Sequence, residues 1–358
     1  MTEAMTTLNR IFGAAIAATL ATAAAPALSD TYVASWNVKH LGWDNGKDIR
    51  AVAEVAAAFD LIALQEVMSL DGLEKLEWEL EQRTGAEWQT MASEAIGRGS
   101  YREHYAFAWR TDEVEWVDGA VVYIDDRDAF AREPFSMRFE TAEGYRFVMA
   151  SAHLIYGDSV AEREREARAL DSYHAWLEES FAGTPIYIAG DFNLPPVNAA
   201  WNALGQDTAP LITEGATTLS PVNGRFANLY DNIWAPAGIE IPVASAGIFN
   251  FPAELGITHE IARGTVSDHA PVWMLIDPDT YHVVLSPHAA SHDVSSATGA
   301  YQFDEPRTGG DVRGNRNSMI YHIEGCPGFD KMSEKNIVHF ASQELAISAG
   351  FRMARNCS

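Results

Sequence analysis

The feature that most constrains this sequence is the alternation of short apolar runs with amphipathic helical stripes over roughly residues 30–277. Seven runs have the length and composition of β-strands, at residues 32–38, 61–65, 105–109, 120–124, 147–153, 186–189 and 272–276. Helical stripes are formed by Ile49, Val52 and Ala56, by Leu73, Leu76 and Leu80, and by Leu170, Tyr173, Leu177 and Phe181. Interleaved strands and helices predict a layered α/β domain over residues 30–277.

Polar side chains of a narrow range of types stand at the ends of these predicted strands. They are Asn37, Gln65-Glu66, His153, Asp191 with Asn193, and Asp268-His269. Because strand ends converge on one edge of a layered α/β fold, these side chains can form a site there. Carboxylate and amide oxygens suit Mg²⁺, Mn²⁺ or Ca²⁺ better than zinc. Each residue alone could be a surface charge, a cap or a structural histidine, but their shared position favours a functional site.

Five segments in this order resemble the endonuclease/exonuclease/phosphatase superfamily over about residues 31–277. They are SWNVKHLG (35–42), LIALQEV (61–67), SAHL (151–154), GDFN (190–193) and SDHAPV (267–272). Three further segments are similar to the deoxyribonuclease I branch: IGRGSYREHYAFAWR (96–110), FAREPF (130–135) and YDNIW (230–234). The resemblance implies an α/β fold, a layered α-β-β-α sandwich of the deoxyribonuclease I type.

The same resemblance implies a metal-dependent endonuclease that hydrolyses DNA phosphodiester bonds with little sequence specificity, acting as a monomer. This chain departs from the pattern of the branch at three places. Gly99 replaces an Asn, Met68 replaces an Arg that enters the minor groove, and a small disulfide loop before Arg132 is missing. These departures concern groove contacts and calcium sites rather than the hydrolytic centre.

The resemblance also implies roles for individual residues. Glu66 would bind the metal, Mg²⁺ or alternatively Mn²⁺ or Ca²⁺, with help from Asn37 and Asp268. Asp191 and Asn193 would orient the attacking water and the phosphate oxygens. His153 paired with Glu103, and His269 paired with Asp231, would act as acid and base or as phosphate clamps, with the assignment between them open. Arg132, Tyr101 and Lys39 would contact the DNA backbone.

The net charge of −25 opposes electrostatic binding to DNA, which normally needs a basic protein surface. The charge is uneven, since residues 307–358 carry a net +2 and the remainder carries −27. Some of the acidic side chains are the proposed metal ligands and histidine partners, and a divalent ion would offset their negative charge locally. We therefore expect weak intrinsic affinity for DNA and a strong requirement for divalent metal.

The N-terminus has the layout of a secretory signal peptide. An apolar run at residues 11–25 precedes Ala25-Pro26-Ala27, the small-x-small pattern of a signal-peptidase site. The run is too short to span a membrane, and no longer apolar run follows it. We expect a signal peptide over residues 1–27, cleavage near Ala27 and a secreted or periplasmic protein without a membrane span.

The C-terminal part has a different composition. Residues 278–312 are rich in Ser, Ala, Gly and Pro and are predicted to be a linker. Residues 313–357 resemble the N-terminal zinc-binding domain of the Ada DNA-repair protein, which implies a small α+β module. The four zinc-binding cysteines of that domain correspond to His322, Cys326, Ala354 and Cys357 here.

Two alternatives follow for this module. In an exported protein Cys326 and Cys357 form a disulfide; otherwise zinc is held by His322, the two cysteines and one unidentified ligand. Because the module is mildly basic, it either helps the enzyme to hold DNA or acts as a stabilising cap.

Two rival functions remain open. One is a phosphoesterase of the same fold that acts on lipid or inositol phosphates, as a sphingomyelinase does. The other is a non-catalytic binding protein, which the complete set of expected ligands disfavours. Tyr101, Glu103 and the Arg-Glu-Pro sequence at 132–134 favour DNA as the substrate.

Overall fold

The computed structural model describes residues 30–278, 281–288, 312–315, 320–323, 325–326, 329–332, 337–340, 352–354 and 357. The predicted signal peptide and most of the predicted linker lie outside these residues.

The strands of the sandwich are β1 (Thr31–Leu41), β2 (Leu61–Val67), β3 (Trp88–Ala92), β4 (His104–Arg110), β5 (Val114–Val122), β6 (Phe135–Thr141), β7 (Arg146–His153), β8 (Ile186–Asp191), β9 (Thr208–Pro210), β10 (Asp231–Pro236), β11 (Glu240–Ile241), β12 (Val243–Ile248), β13 (Val272–Ile276) and β14 (Val283–Val284). The helices are α1 (Ile49–Ala56), α2 (Leu70–Thr84), α3 (Val160–Ser180), α4 (Phe251–Glu254) and α5 (His259–Thr265), with short 3₁₀ turns at Ala199–Asn202 and Leu204–Gln206.

Twelve of these strands form two six-stranded sheets. The first sheet has the order β12-β13-β1-β2-β4-β3, and the second has the order β5-β6-β7-β8-β10-β9. In the first sheet β1 runs parallel to β2 and antiparallel to β13. In the second, β8 runs parallel to β7 and antiparallel to β10. The chain thus builds most of the first sheet, then the whole second sheet, and returns to the first.

The two sheets pack face to face, and helices cover their outer faces. Phe107, Met149, Tyr187 and Met274 are fully buried in the core between the sheets. A second core joins α1 and α2 to the outer face of the first sheet, and a third joins α3 to the outer face of the second. The four layers confirm the predicted α-β-β-α sandwich.

The apolar runs located most of this architecture. All seven predicted strands overlap observed strands, and the three helical stripes lie on α1, α2 and α3. The strand predicted at 120–124 extends past the observed strand, since β5 ends at Val122 and Ile124 is 75% exposed. No predicted run covers β3, β6, β10 or β12, or the short strands β9, β11 and β14. Polar residues interrupt the apolar pattern of β6 and β10.

The first part of the predicted linker packs on the sandwich. Strand β14 pairs with β11, and the backbone N–H of His288 donates to the carbonyl of Thr208 over 3.1 Å. The ring of His288 lies edge-on to Trp234, with 5.4 Å between the ring centroids. Residues 281–288 therefore form an ordered strap against the second sheet.

The described part of residues 313–357 contains a four-stranded sheet. Its strands are β15 (Val312–Asn315), β16 (Ile320–Ile323), β17 (Ile337–Phe340) and β18 (Arg352–Met353), in the order β17-β15-β16-β18, and a 3₁₀ turn lies at Phe329–Lys331. A disulfide joins Cys326 to Cys357, with 5.0 Å between their Cα atoms. Nδ1 of His322 lies 3.8 Å from Sγ of Cys357. The resemblance of this module to the Ada domain stays a prediction.

Candidate active site

Three polar residues lie side by side at one end of the second sheet. The register of the parallel pair β7–β8 places His153 opposite Asp191, and that of the antiparallel pair β8–β10 places Asp231 opposite Asp191. Paired residues on neighbouring strands point to the same face of a sheet. The strands therefore bring together three side chains that are far apart in the sequence.

Gly190 makes this close approach feasible. Its φ of +150° lies in the region that side-chain-bearing residues avoid. A Cβ at this position would lie 1.7 Å from the carbonyl oxygen of Ala152 on β7. The glycine in the GDFN segment thus lets β8 deliver Asp191 directly beside His153.

Two histidine–carboxylate pairs connect the two sheets. Nδ1 of His153 lies 2.8 Å from Oε1 of Glu103, the residue just before β4 in the first sheet. Nδ1 of His269, which precedes β13 in the first sheet, lies 2.9 Å from Oδ2 of Asp231 on β10. Each pair takes one member from each sheet, so the site forms only where the two sheets meet.

Asp191 lies between the two imidazoles. Its Oδ2 atom is 3.6 Å from Nε2 of His153 and 3.7 Å from Nε2 of His269. Burial alone would lower the pKa of His269, but the carboxylates of Asp231 and Asp191 outweigh it and raise the pKa to about 10. Burial and Arg132 oppose the charged form of His153, yet Glu103 raises the pKa of this imidazole above its ordinary value. The neighbouring carboxylates therefore stabilise the charged form of both rings.

Glu66 enters the same region from the first sheet. Its φ of +59° is unusual for a residue with a side chain, and the register of β2 against β4 shifts between Leu64 and Val67. The Glu66 carboxylate accepts from Nδ2 of Asn37 over 2.9 Å and from the backbone N–H of His40 over 3.1 Å. The bulge therefore turns Glu66 out of the strand and into the site.

Asn37 links the carboxylates from the two sheets. Besides Glu66, its Nδ2 donates to Oδ2 of Asp191 over 3.2 Å, and its Oδ1 accepts from the backbone N–H of Lys39 over 2.9 Å. The family resemblance implies that Asn37 helps Glu66 to bind the metal, and this role stays a prediction. In the described arrangement its amide nitrogen faces the two carboxylates and orients them.

Asp268 is held by two cations. Its Oδ2 lies 3.2 Å from Nζ of Lys39 and 3.7 Å from Nη2 of Arg263. Burial raises the pKa of Asp268, but His269, Lys39 and Arg263 together lower it below its ordinary value. Nζ of Lys39, predicted to contact DNA, also donates to the carbonyl of Arg263 over 2.7 Å.

The donor set at this edge fits a hard divalent cation. The Glu66 and Asp268 side chains are 15% and 26% exposed, so their carboxylates reach solvent. These two carboxylates supply oxygen donors, the type that Mg²⁺ and Ca²⁺ prefer. The ligand atoms of Asp191, Asp231 and His269 also lie within 4.8 Å of one another.

The other predicted substrate residues surround this centre. Arg132 donates from Nε to the carbonyl of His153 over 3.0 Å and from Nη2 to that of Leu154 over 3.1 Å. Asn193 has a φ of +50° and donates from Nδ2 to the carbonyl of Leu154 over 2.9 Å. Burial, followed by the charges of Glu66 and Glu103, raises the pKa of Tyr101 well above its ordinary value. The predicted residues therefore converge on one edge of the sandwich.

Glu166 is a buried residue of this region that the motifs did not identify. Its carboxylate accepts from the backbone N–H of Ala131 over 2.5 Å and from that of Ile155. The first contact fixes the segment that carries Arg132, and the second fixes the segment that follows His153. A signal existed, because Glu166 lies four residues before Leu170 and so occupies the apolar stripe of α3.

Lys47 was also missed, and no local pattern marks it. Its Nζ donates to three backbone carbonyls, those of Val38 over 2.8 Å, of Val266 over 2.6 Å, and of Lys39. Burial, followed by the charge of Lys39, lowers the pKa of Lys47 to about 8. This side chain ties the last residues of β1, where Lys39 and His40 have positive φ, to the segment that leads into Asp268.

Two histidine–carboxylate pairs around a shared aspartate, at one edge of a four-layered sandwich, indicate a hydrolase with an α-β-β-α fold. The model of the Endonuclease/Exonuclease/phosphatase family matches residues 34–269. The chain therefore belongs to this family and to its deoxyribonuclease I-like branch.

Named relatives support the branch. The chain is 49% identical over 266 residues to a deoxyribonuclease of Thioalkalivibrio sp. (strain K90mix), covering 72% of this chain and 73% of the relative. It is 29% identical over 267 residues to human deoxyribonuclease-1, covering 68% and 91%.

Solved structures agree on the fold. A family member from Bacteroides thetaiotaomicron superposes with a TM-score of 0.53 at 16% identity, covering 70% of this chain and 99% of the neighbour. A mannosyl-6-phosphatase from the same organism gives 0.53 at 17% identity, covering 69% and 100%.

Proposed function

We propose that this protein is an exported, divalent-metal-dependent endonuclease that hydrolyses DNA phosphodiester bonds with little sequence specificity. The observation that carries the proposal is the placement of Asp191 between the imidazoles of His153 and His269, each backed by a buried carboxylate. This cluster offers both positive charge for a phosphodiester and an acceptor for the proton of a water. The deoxyribonuclease names of the relatives favour DNA as the substrate.

The residues divide the reaction between them. Asp191 orients the water whose oxygen attacks phosphorus, and it takes up the proton that this water loses as the new P–O bond forms. The imidazoliums of His153 and His269 stabilise the charge that builds on the phosphate oxygens. One of them gives its proton to the oxygen that leaves as the P–O bond breaks. Glu103 and Asp231 hold these rings in position and favour their charged forms.

Glu66 and Asp268 would hold the divalent ion, and Asn37 would orient the Glu66 carboxylate. When bound, such an ion neutralises phosphate charge and so assists attack on the phosphodiester. Members of this nuclease family generally depend on divalent metal. Arg132, Asn193, Tyr101 and Lys39 would bind the phosphate or the neighbouring DNA backbone. The ion in this protein would be Mg²⁺, with Mn²⁺ or Ca²⁺ as alternatives.

Two observations support export. One is the N-terminal sequence, and the other is the disulfide between Cys326 and Cys357, because disulfides persist in oxidising compartments. Among the described residues, no helix combines the length and apolarity needed to cross a membrane. N-terminal sequencing of the protein recovered from the periplasm or medium should give a start just after Ala27. Recovery of the uncleaved chain from the cytoplasm would overturn this part of the proposal.

The proposal is tested by incubating the purified protein with supercoiled plasmid and, separately, with sphingomyelin vesicles, each with Mg²⁺ or with EDTA. We expect nicked plasmid only in the presence of Mg²⁺ and intact lipid in both conditions. Lipid hydrolysis without plasmid nicking would instead favour the phosphoesterase alternative. Inactivity on both substrates would favour a binding protein.

A further inference from the structure

Three aromatic rings form an exposed platform beside the candidate metal ligand Glu66. The rings of His40 and Trp43 are stacked, with 4.2 Å between centroids and 24° between planes. Tyr101 lies edge-on to both, at 6.3 Å from His40 and 6.2 Å from Trp43. Trp43 is nevertheless 46% exposed. We call His40, Trp43 and Tyr101 the aromatic platform.

The backbone holds the platform in place. Gly42, next to Trp43, has a φ of +95°, and a Cβ there would lie 2.2 Å from Oγ of Ser69. The backbone N–H of Trp43 donates to the carbonyl of His40 over 3.3 Å, and that of Met68 donates to Leu41 over 2.7 Å. The turn that carries Trp43 is therefore packed directly against the start of α2.

The platform is also joined to the reaction centre. The backbone N–H and Nε2 of His40 lie 3.1 and 3.2 Å from the same Oε2 atom of Glu66. A group stacked on Trp43 would therefore lie beside His40, which contacts the proposed metal ligand Glu66. The platform thus adjoins the residue proposed to bind the metal.

The chemistry of the platform selects a flat, uncharged group. Aromatic side chains bind bases through stacking, which works with any base sequence and needs no positive charge on the protein. That property matters in a chain of net charge −25, where attraction to phosphates is weak. In a regular duplex each base face is covered by its neighbours, so only an unpaired or displaced base can reach an exposed indole.

We propose that the aromatic platform stacks an unpaired nucleobase beside the scissile phosphate and so favours cleavage of single-stranded or locally melted DNA over regular duplex. The inference rests on the proposed DNA hydrolysis and adds a substrate form to it. Trp43 is the specificity-determining residue, because it is the most exposed ring of the three.

The test compares the wild type with Trp43→Ala, Trp43→Phe and Trp78→Ala. Trp78 is the matched control, a 54% exposed tryptophan on α2. The value of kcat/KM is measured with Mg²⁺ on a single-stranded oligonucleotide and on the duplex of the same sequence. We expect Trp43→Ala to lower the ratio of the single-strand to the duplex value about tenfold, mainly through KM. Trp43→Phe should restore most of the ratio, and Trp78→Ala should leave it unchanged.

An equal loss on both substrates, or no loss, after Trp43→Ala would overturn the inference. A second measurement separates it from the proposed function. Binding of oligothymidylate in EDTA is followed by quenching of tryptophan fluorescence, which requires no hydrolysis. Quenching by wild type and Trp78→Ala but not by Trp43→Ala would support the platform even in a protein that cuts no DNA. Equal quenching in all three would contradict it.

Discussion

Nδ1 of His153 lies 2.8 Å from Oε1 of Glu103, a carboxylate with no exposure to solvent. Because the two residues come from different sheets, this contact fixes the imidazole relative to both. The same contact supplies the charge that outweighs burial and keeps the pKa of His153 above its ordinary value.

The first prediction concerns this carboxylate. Glu103→Gln keeps the size and a hydrogen-bond acceptor but removes the negative charge. The pKa of His153 should therefore fall, so that the ring is neutral at pH values where the wild-type ring is charged. Histidine-ring NMR titration measures the shift, and DNA hydrolysis should fall about 10²–10⁴-fold. An unchanged pKa together with full activity would show that Glu103 has no role in charging His153.

The second prediction concerns the two imidazoles. His153→Ala and His269→Ala should each lower plasmid hydrolysis by about 10²–10⁴-fold, because each removes a charged donor from the centre. The folded state should persist, as checked by circular dichroism and thermal unfolding. His282→Ala, which alters an exposed histidine on the strap, is the control and should keep wild-type activity. Near-full activity in either site variant would refute its assignment.

The third prediction concerns Glu66. Glu66→Gln removes a charged oxygen donor while retaining the size of the side chain, so the Mg²⁺ concentration for half-maximal activity should rise at least about tenfold. A titration of plasmid nicking against Mg²⁺ measures this. Glu74→Gln, at an exposed position of α2, should leave the titration unchanged. An identical Mg²⁺ curve for Glu66→Gln and wild type would exclude Glu66 as a metal ligand.

The fourth prediction concerns Glu166. A glutamine offers only one acceptor oxygen, so Glu166→Gln leaves the N–H of Ala131 or Ile155 without its partner. Unfolding in urea should show a loss of about 1–3 kcal/mol. Activity should fall as well, because the segments holding Arg132 and His153 lose their common anchor. Glu179→Gln, exposed on the same helix, serves as the control, and equal stability of the two variants would argue against the anchoring role.

The fifth prediction concerns the C-terminal cysteines. Thiol titration of the unfolded, non-reduced protein should find no free thiol, and reduction should release both cysteines of the chain. Their 31-residue separation gives a stabilisation of about 3–4 kcal/mol in the chain-entropy model. Two free thiols with bound zinc in the exported protein would instead support the zinc alternative.

The sequence allowed the framework to be predicted because burial leaves a local pattern. Runs such as LIALQ at 61–65 are apolar on both faces, and the central strands they form are covered by a second sheet and by helices. Strand β10 escaped prediction because its first two residues, Asp231 and Asn232, are polar yet buried. Their burial depends on partners in distant segments, which local periodicity does not report.

The same limit applies to the candidate site. Residues that follow an apolar run, such as Glu66 and Asp191, could be identified from position alone. Lys47 could not, since its three acceptors are backbone carbonyls at positions 38, 39 and 266, which carry no side-chain signal. The pairing of Glu103 with His153 came from the family resemblance, because 50 residues separate them along the chain.

Both histidine–carboxylate pairs join one sheet to the other, so the alignment of the reacting groups depends on how the two halves of the sandwich are seated. Neither half contains a complete pair. A substitution deep between the sheets, for example at Met149 or Tyr187, could therefore slow turnover without altering any polar residue. In this protein, a small change in the packing of the central core should therefore appear first as a change in the rate of hydrolysis.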